Sequence, residues 1–219
     1  MLESSLHTDL KNTYTQPGDI QEAQVDGYLI DVQHGEQLIE IQTRHFSAIK
    51  TKLQALLINH PVLLVHPIPF EKWIIRQDGA NISRRRSPRR GRKEDLFYEL
   101  VSLPHLVDHP NFSLEVLLVR VEEKRRNDGK GSWRRKGWSI VDRTLLDIVE
   151  RRRYSSTADY LDFLPSELSY PFTSHDLAES AKIAPGLASK IVYCLRHMGQ
   201  LEIIGKQGRS YLYNLSVNQ

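Results

Sequence analysis

The sequence predicts an α/β protein, a mixed sheet flanked by helices, followed by a small α+β domain at the C-terminal end. Three observations carry this expectation. Apolar residues alternate with period two between residues 28 and 42, take a helical period between 46 and 58, and form a continuous run at 62–65. The last fifty or so residues hold two helical stretches and a glycine-rich hairpin. A chain of 219 residues, 40% of them apolar, can bury one large core or two modest ones.

A short opening helix is expected over 2–14, closed by the turn signal Gln16-Pro17-Gly18-Asp19. Residues 28–32 and 38–42 then read as a β-hairpin broken at Gln33-His34-Gly35-Glu36. Because successive side chains on a strand point to opposite faces, Ile30, Val32, Ile39 and Ile41 share one face, and Asp31, Glu40 and Gln42 share the other. Phe46, Ile49, Leu53 and Leu56 form one helical stripe, with Lys50, Lys52 and Gln54 off it. The run at 62–65 suits a strand covered on both faces, and a further strand is expected at 72–76. Beyond it, 83–93 (SRRRSPRRGRK) reads as a solvated loop without apolar residues to order it. A helix over 96–106, a strand over 114–121 and a short helix over 143–149 complete a first domain, 1–153.

The second domain, 154–219, opens with a capping hydroxyl ahead of Asp176-Leu177-Ala178-Glu179. A turn at Ile183-Ala184-Pro185-Gly186 leads to a second amphipathic helix burying Leu187, Ile191 and Leu195, and two strands then bracket Gly205-Lys206-Gln207-Gly208-Arg209. This order resembles a winged helix-turn-helix, in which the second helix enters the major groove of DNA and the wing rides on the backbone. The resemblance implies Ser189, Lys190, Tyr193, Arg196 and His197 as recognition-helix residues, with Lys206 and Arg209 at the wing. His175 reads as a surface residue.

The net charge is only +3, but its distribution is uneven. Arg84, Arg85, Arg86, Arg89, Arg90, Arg92 and Lys93 fill one block, and Arg134, Arg135 and Lys136 interleave with Trp133 and Trp138 in a second. Such arginines neutralise phosphates and give sequence-independent, salt-sensitive affinity. The two indoles suit either stacking on exposed bases or covering a small core beneath a hairpin. No apolar run approaches the roughly 20 residues that span a bilayer, and the N-terminus lacks a signal-peptide pattern, so a cytoplasmic location without membrane contact is expected. One cysteine, Cys194, excludes a disulfide framework and reads as a buried, inert thiol. His60, His66, His105 and His109 lack metal-ligand spacing, and neither a phosphate-binding glycine loop nor a GxSxG elbow is present.

The carboxylate Asp31, the sequence Glu40-Ile41-Gln42 on the next strand, and the amphipathic helix and buried strand behind them resemble the core of the PD-(D/E)XK nuclease superfamily. The likeness spans 1–76 and is nearest to archaeal-type Holliday junction resolvases. It implies a restriction-endonuclease-like mixed sheet and a Mg²⁺ or Mn²⁺ ion held by Asp31, Glu40 and a further acid from the preceding helix, Glu3, with Glu22 as the alternative. The ion would polarise the scissile phosphate and lower the pKa of an attacking water. The family's lysine is replaced by Gln42, a change some members share. Glutamine can orient a water or phosphate but brings no charge, which leaves Lys50 or Lys52 to supply it. The implied activity is metal-dependent hydrolysis of DNA, including branched or structured DNA, by a homodimer whose two sites cut both strands. The rival expectation is a regulatory DNA-binding protein that kept the fold and lost the chemistry.

Overall fold

The computed structural model describes residues 4–79 and 81–216. Helix α1 (Ser5–Tyr14) leads into strands β1 (Ile20–Val25), β2 (Tyr28–His34) and β3 (Gln37–Ile41), then helix α2 (Phe46–Leu56) and strands β4 (Val62–Asp78) and β5 (Asn81–Arg86). Helix α3 (Phe97–Leu100) precedes strands β6 (Phe112–Asn127) and β7 (Trp138–Tyr154). Helices α4 (Ser174–Ser180) and α5 (Pro185–His197) and strands β8 (Leu201–Gln207) and β9 (Ser210–Leu215) close the chain. Among the described residues, seven strands make one mixed sheet in the order β1-β2-β3-β4-β6-β7, with β5 paired to β4, and β8-β9 form a separate hairpin. The α/β class expected from the sequence is what the chain adopts.

The chain divides into two compact units, each assembled from three stretches. The first comprises 1–43, 65–92 and 116–152, and the second 44–64, 93–115 and 153–219. In the first, Ile30, Val32, Ile39 and Ile41 are all buried as expected, but on β3 the opposite face is covered as well, Leu38 and Glu40 being buried with them. Helix α1 lies against β2 and β3, burying Leu6 and Leu10. It is tied to β7 by Ser5 Oγ donating to Asp142 Oδ2 at 2.5 Å and by Leu145 N donating to Asp9 Oδ2 at 3.0 Å.

In the second unit, Phe97, Tyr154, Tyr160 and Phe163 form an aromatic cluster with centroid separations of 4.8 Å for Phe97–Phe163 and for Tyr154–Tyr160. Thr173 and Asp176 cap α4 reciprocally, Asp176 N donating to Thr173 Oγ1 at 3.2 Å and Thr173 N to Asp176 Oδ2 at 2.7 Å. Helix α5 buries Leu187, Ala188, Ile191, Val192, Cys194 and Leu195. Burial pushes the Cys194 thiol up to about 12, which leaves it protonated and inert at neutral pH. The Tyr160 hydroxyl is buried without a hydrogen-bond partner. Since an unsatisfied buried hydroxyl costs more than the same shape without it, Tyr160→Phe is expected to raise stability by about 1 kcal/mol in urea denaturation.

Several elements differ from expectation, each for an identifiable reason. Residues 143–149 are not a helix but the middle of β7, where β-branched Ile140, Val141, Thr144, Ile148 and Val149 favour the extended chain. The two strands expected at 62–65 and 72–76 are one, β4, which continues through Pro67 and Pro69. Those prolines fall between Val65, whose carbonyl oxygen accepts from Gln42 N at 2.9 Å, and the first β5 pair, Trp73↔Arg86, a stretch in which no β5 pairing calls on their missing N–H. The helix expected over 96–106 breaks into a 3₁₀ turn (Lys93–Leu96), α3 and a second 3₁₀ turn (Pro104–Leu106), because the residue before a proline avoids helical backbone. Strand β1 was invisible by period, since Ala23 is its one buried residue.

The basic block expected to be a solvated loop is ordered. Arg84, Arg85 and Arg86 sit on β5, paired with β4 from Trp73↔Arg86 to Asp78↔Asn81. Arg84 lies 4.2 Å over the Trp73 ring and pairs with Glu122, while Glu71 is shared by Arg86, Arg90 and Arg120. These contacts supply the ordering that apolar residues do not. The chain then returns along β4: Ser87 N donates to Lys72 O at 2.7 Å and Gly91 N to Pro69 O at 2.9 Å. A Cβ at Gly91 would stand 2.6 Å from the Pro69 carbonyl oxygen, so this approach requires glycine.

Candidate functional site

Asp31 sits on β2 and Glu40 on β3. The pairing Val32↔Ile39 makes them the next residues in register across the antiparallel pair, on the face turned away from Ile30 and Val32. Ile41 N donates to Asp31 Oδ2 at 2.7 Å, and His7 Nε2, from α1, lies 3.2 Å from the same oxygen and 2.9 Å from Ile41 O. Asp31 Oδ1 takes part in neither contact. Two contacts on one oxygen orient this carboxylate as a ligand. Glu40 is 6% exposed, a depth at which a carboxylate requires polar or cationic company. Gln42 follows at the end of β3, where His66 Nδ1 lies 2.7 Å from its backbone carbonyl oxygen.

Of the further acids expected here, Glu3 lies outside the described residues. Glu22 falls between the pairs Gln21↔Val32 and Ala23↔Ile30, beside Asp31 in register, but its backbone is left-handed and its carboxylate accepts from the buried Lys11 at 3.0 Å. That ion pair ties β1 to α1. His7 and His66 are the site residues that the sequence did not single out. Lys50 and Lys52 are on α2, the first exposed and the second half-buried. Among the described residues, the one trio of His, Asp or Glu ligand atoms within 4.8 Å of one another is His175, Asp176 and Glu179 on the surface of α4, where Asp176 already caps the helix. Asp31 and Glu40 therefore present a two-carboxylate set.

The basic residues separate into paired and free. Arg84, Arg86 and Arg90 are held by Glu122 and Glu71, and Lys93 by Asp162 at 3.0 Å. Arg92, Arg85 and Arg89 are exposed, and among the described residues Arg85 and Arg89 have no carboxylate partner. At the turn between β6 and β7, Trp133 is 83% exposed with Arg134 5.5 Å over its ring, and Lys136 is exposed beside it. The two indoles diverge: Trp138 is half-buried beneath the Arg76 guanidinium, at 5.0 Å, and its carbonyl oxygen accepts from Arg135. In the second unit, Arg196, Lys206 and Arg209 are exposed and Lys190 is half-buried. His197 packs against His105 at 4.8 Å and Tyr193 at 4.3 Å; burial and the neighbouring His105 and Arg196 charges hold its pKa below the usual imidazole value. No helix among the described residues is long and apolar enough to cross a membrane.

These features define an α/β protein whose mixed sheet carries an oriented Asp31 carboxylate beside the buried Glu40 and an arginine-rich strand. The chain belongs to the family described as a domain of unknown function (DUF8091), whose model matches residues 4–155. It is also similar to an uncharacterized protein of Treponema pallidum (strain Nichols), 30% identical over 217 residues, which covers 96% of this chain and 84% of that relative. The similarity to that relative thus extends through α4, α5 and the β8-β9 hairpin. No solved structure matches the chain.

Proposed function

We propose that the protein binds nucleic acid and hydrolyses its phosphodiester backbone with a divalent cation at Asp31 and Glu40. The observation that carries this reading is the oriented Asp31 carboxylate beside the buried Glu40, on a hairpin preceded by α1 and followed by α2 and β4. That order of elements is the one the PD-(D/E)XK resemblance implies. The donor set fits a hard cation, which takes carboxylate oxygens and keeps several waters. Such an ion would lower the pKa of a bound water and offset charge on the scissile phosphate. The residues of the chain do the rest. Ile41 N–H fixes the Asp31 carboxylate, Glu40 supplies the second charge, and the Gln42 amide can hydrogen-bond the attacking water or a phosphate oxygen. Water adds to phosphorus, the ester P–O bond breaks, and the leaving oxygen takes up a proton.

Arg85, Arg89, Arg134 and Lys136 would neutralise backbone phosphates, the exposed Trp133 would stack on a base, and α5 with the β8-β9 wing would add a second contact surface. Converting those four cations to glutamine together is expected to lower the slope of log affinity against log salt by about 4 on duplex DNA. Fluorescence anisotropy over a salt series measures this, and an unchanged slope removes these residues from the interface.

The test of hydrolysis is incubation of labelled linear duplex and four-way-junction DNA with the full chain in Mg²⁺, Mn²⁺ or EDTA. Cutting that EDTA stops is the expected result. Binding without cutting in either metal would establish the second reading, a regulatory DNA-binding protein on the same fold. Gln42, which brings no charge where the PD-(D/E)XK superfamily's lysine does, is the observation that favours that alternative.

A further inference from the structure

The contact of His7 with the acidic hairpin goes beyond holding α1 in place. Its Nε2 lies between Asp31 Oδ2, at 3.2 Å, and the Ile41 carbonyl oxygen, at 2.9 Å. A carboxylate oxygen and a backbone carbonyl oxygen are both ligands that a hard divalent cation takes, at about 2.1 Å for Mg²⁺ and 2.3–2.6 Å for Ca²⁺. One imidazole N–H is shared between two oxygens that could bind one ion together. We propose that His7 occupies the cation's position at Asp31, so that a divalent ion enters only when the imidazole swings away. This rests on the metal-dependent reading of the site.

Three features make the displacement feasible. His7 stands in the first turn of α1, where its backbone N–H donates to Ser4 O at 2.9 Å, outside the regular i→i−4 ladder. Its side chain and that of Asp31 are 20% and 16% exposed, so water and ions reach both. The Asp31 carboxylate does not depend on His7 for its orientation, because Ile41 N donates to the same oxygen at the shorter distance of 2.7 Å. Withdrawing the imidazole therefore leaves an oriented carboxylate and a carbonyl oxygen facing the same space. His7 thus acts as an internal competitor that weakens metal binding at rest.

Calorimetric titration of the full chain with Mn²⁺ tests this without reference to activity. His7→Ala is expected to bind Mn²⁺ about tenfold more tightly than wild type, since the ion no longer displaces the imidazole from its two acceptors. His7→Asn, whose side chain is shorter, is expected to do the same and guards against a folding defect in the alanine variant. Asp31→Asn is expected to lose binding. If both His7 variants bind Mn²⁺ equally or more weakly while wild type binds, His7 is a ligand or a bystander and the proposal falls, with the metal site intact. Absence of binding in wild type and in both His7 variants overturns the metal-dependent reading itself.

Discussion

Asp31→Asn and Glu40→Gln are each expected to reduce DNA cleavage at least a thousandfold while leaving DNA affinity within about twofold. A thousandfold corresponds to about 4 kcal/mol of lost transition-state stabilisation. Both substitutions keep the shape of the side chain and remove its charge, so they separate cation binding from packing. At Asp31 the amide oxygen can still accept from Ile41 N, which preserves the β2-β3 contact. At Glu40, 6% exposed on a strand whose neighbours Leu38, Ile39 and Ile41 are all buried, glutamine fills the same space. The cations proposed to bind phosphate stand elsewhere: Arg85 on β5, Arg89 beyond its end, and Arg134 and Lys136 at the β6-β7 turn. Loss of cutting with retained binding in both variants identifies the site; equal loss of both would make the carboxylates structural. Single-turnover rates and anisotropy on the same DNA give the two readouts.

How much of this was legible in the sequence depends on whether short-range geometry alone decides. The period of a strand is two whatever it pairs with, so the shared face of Asp31 and Glu40 followed from spacing. The capping of α4 by Thr173 was similarly local. Residues 143–149 were not decidable in this way, because Leu145, Leu146, Ile148 and Val149 satisfy a helical stripe as well as a strand, and only pairing in the sheet selects the strand. Strand β5 has no buried residue at all, and its order comes from Trp73, Glu71 and Glu122, which lie up to 38 residues away in the chain. The excursions 44–64 and 93–115 into the second unit carry no change of composition that marks them. His7 was hidden for another reason: a lone histidine on a polar helix becomes informative only when the fold delivers it to Asp31.

Glu123 carries the largest expected effect on stability. Fully buried on β6, it accepts from Arg125 Nε at 2.7 Å and Arg143 Nε at 2.9 Å and lies 3.4 Å from Lys72 Nζ. One carboxylate thus serves three cations from β4, β6 and β7. Burial alone would raise its pKa, but the Arg125 hydrogen bonds and the Lys72 and Arg143 charges outweigh it and hold the group at about 2. Burial acts in the other sense on Lys72, pulling its ammonium below the usual lysine value despite Glu123. Glu123→Gln leaves three cations facing one neutral amide, and removal of one partner from a buried ion cluster costs about 3–5 kcal/mol. Urea denaturation at pH 7 should show that loss. A carboxyl with a folded pKa of about 2 and an ordinary value of 4.5 contributes stability above pH 4.5, and that contribution, roughly 3 kcal/mol, drains away as pH falls toward 2. The gap between wild type and Glu123→Gln should therefore narrow from pH 4.5 downward, other acidic groups titrating alike in both. A gap that stays constant to pH 2 would mean that the lost stability is packing rather than charge.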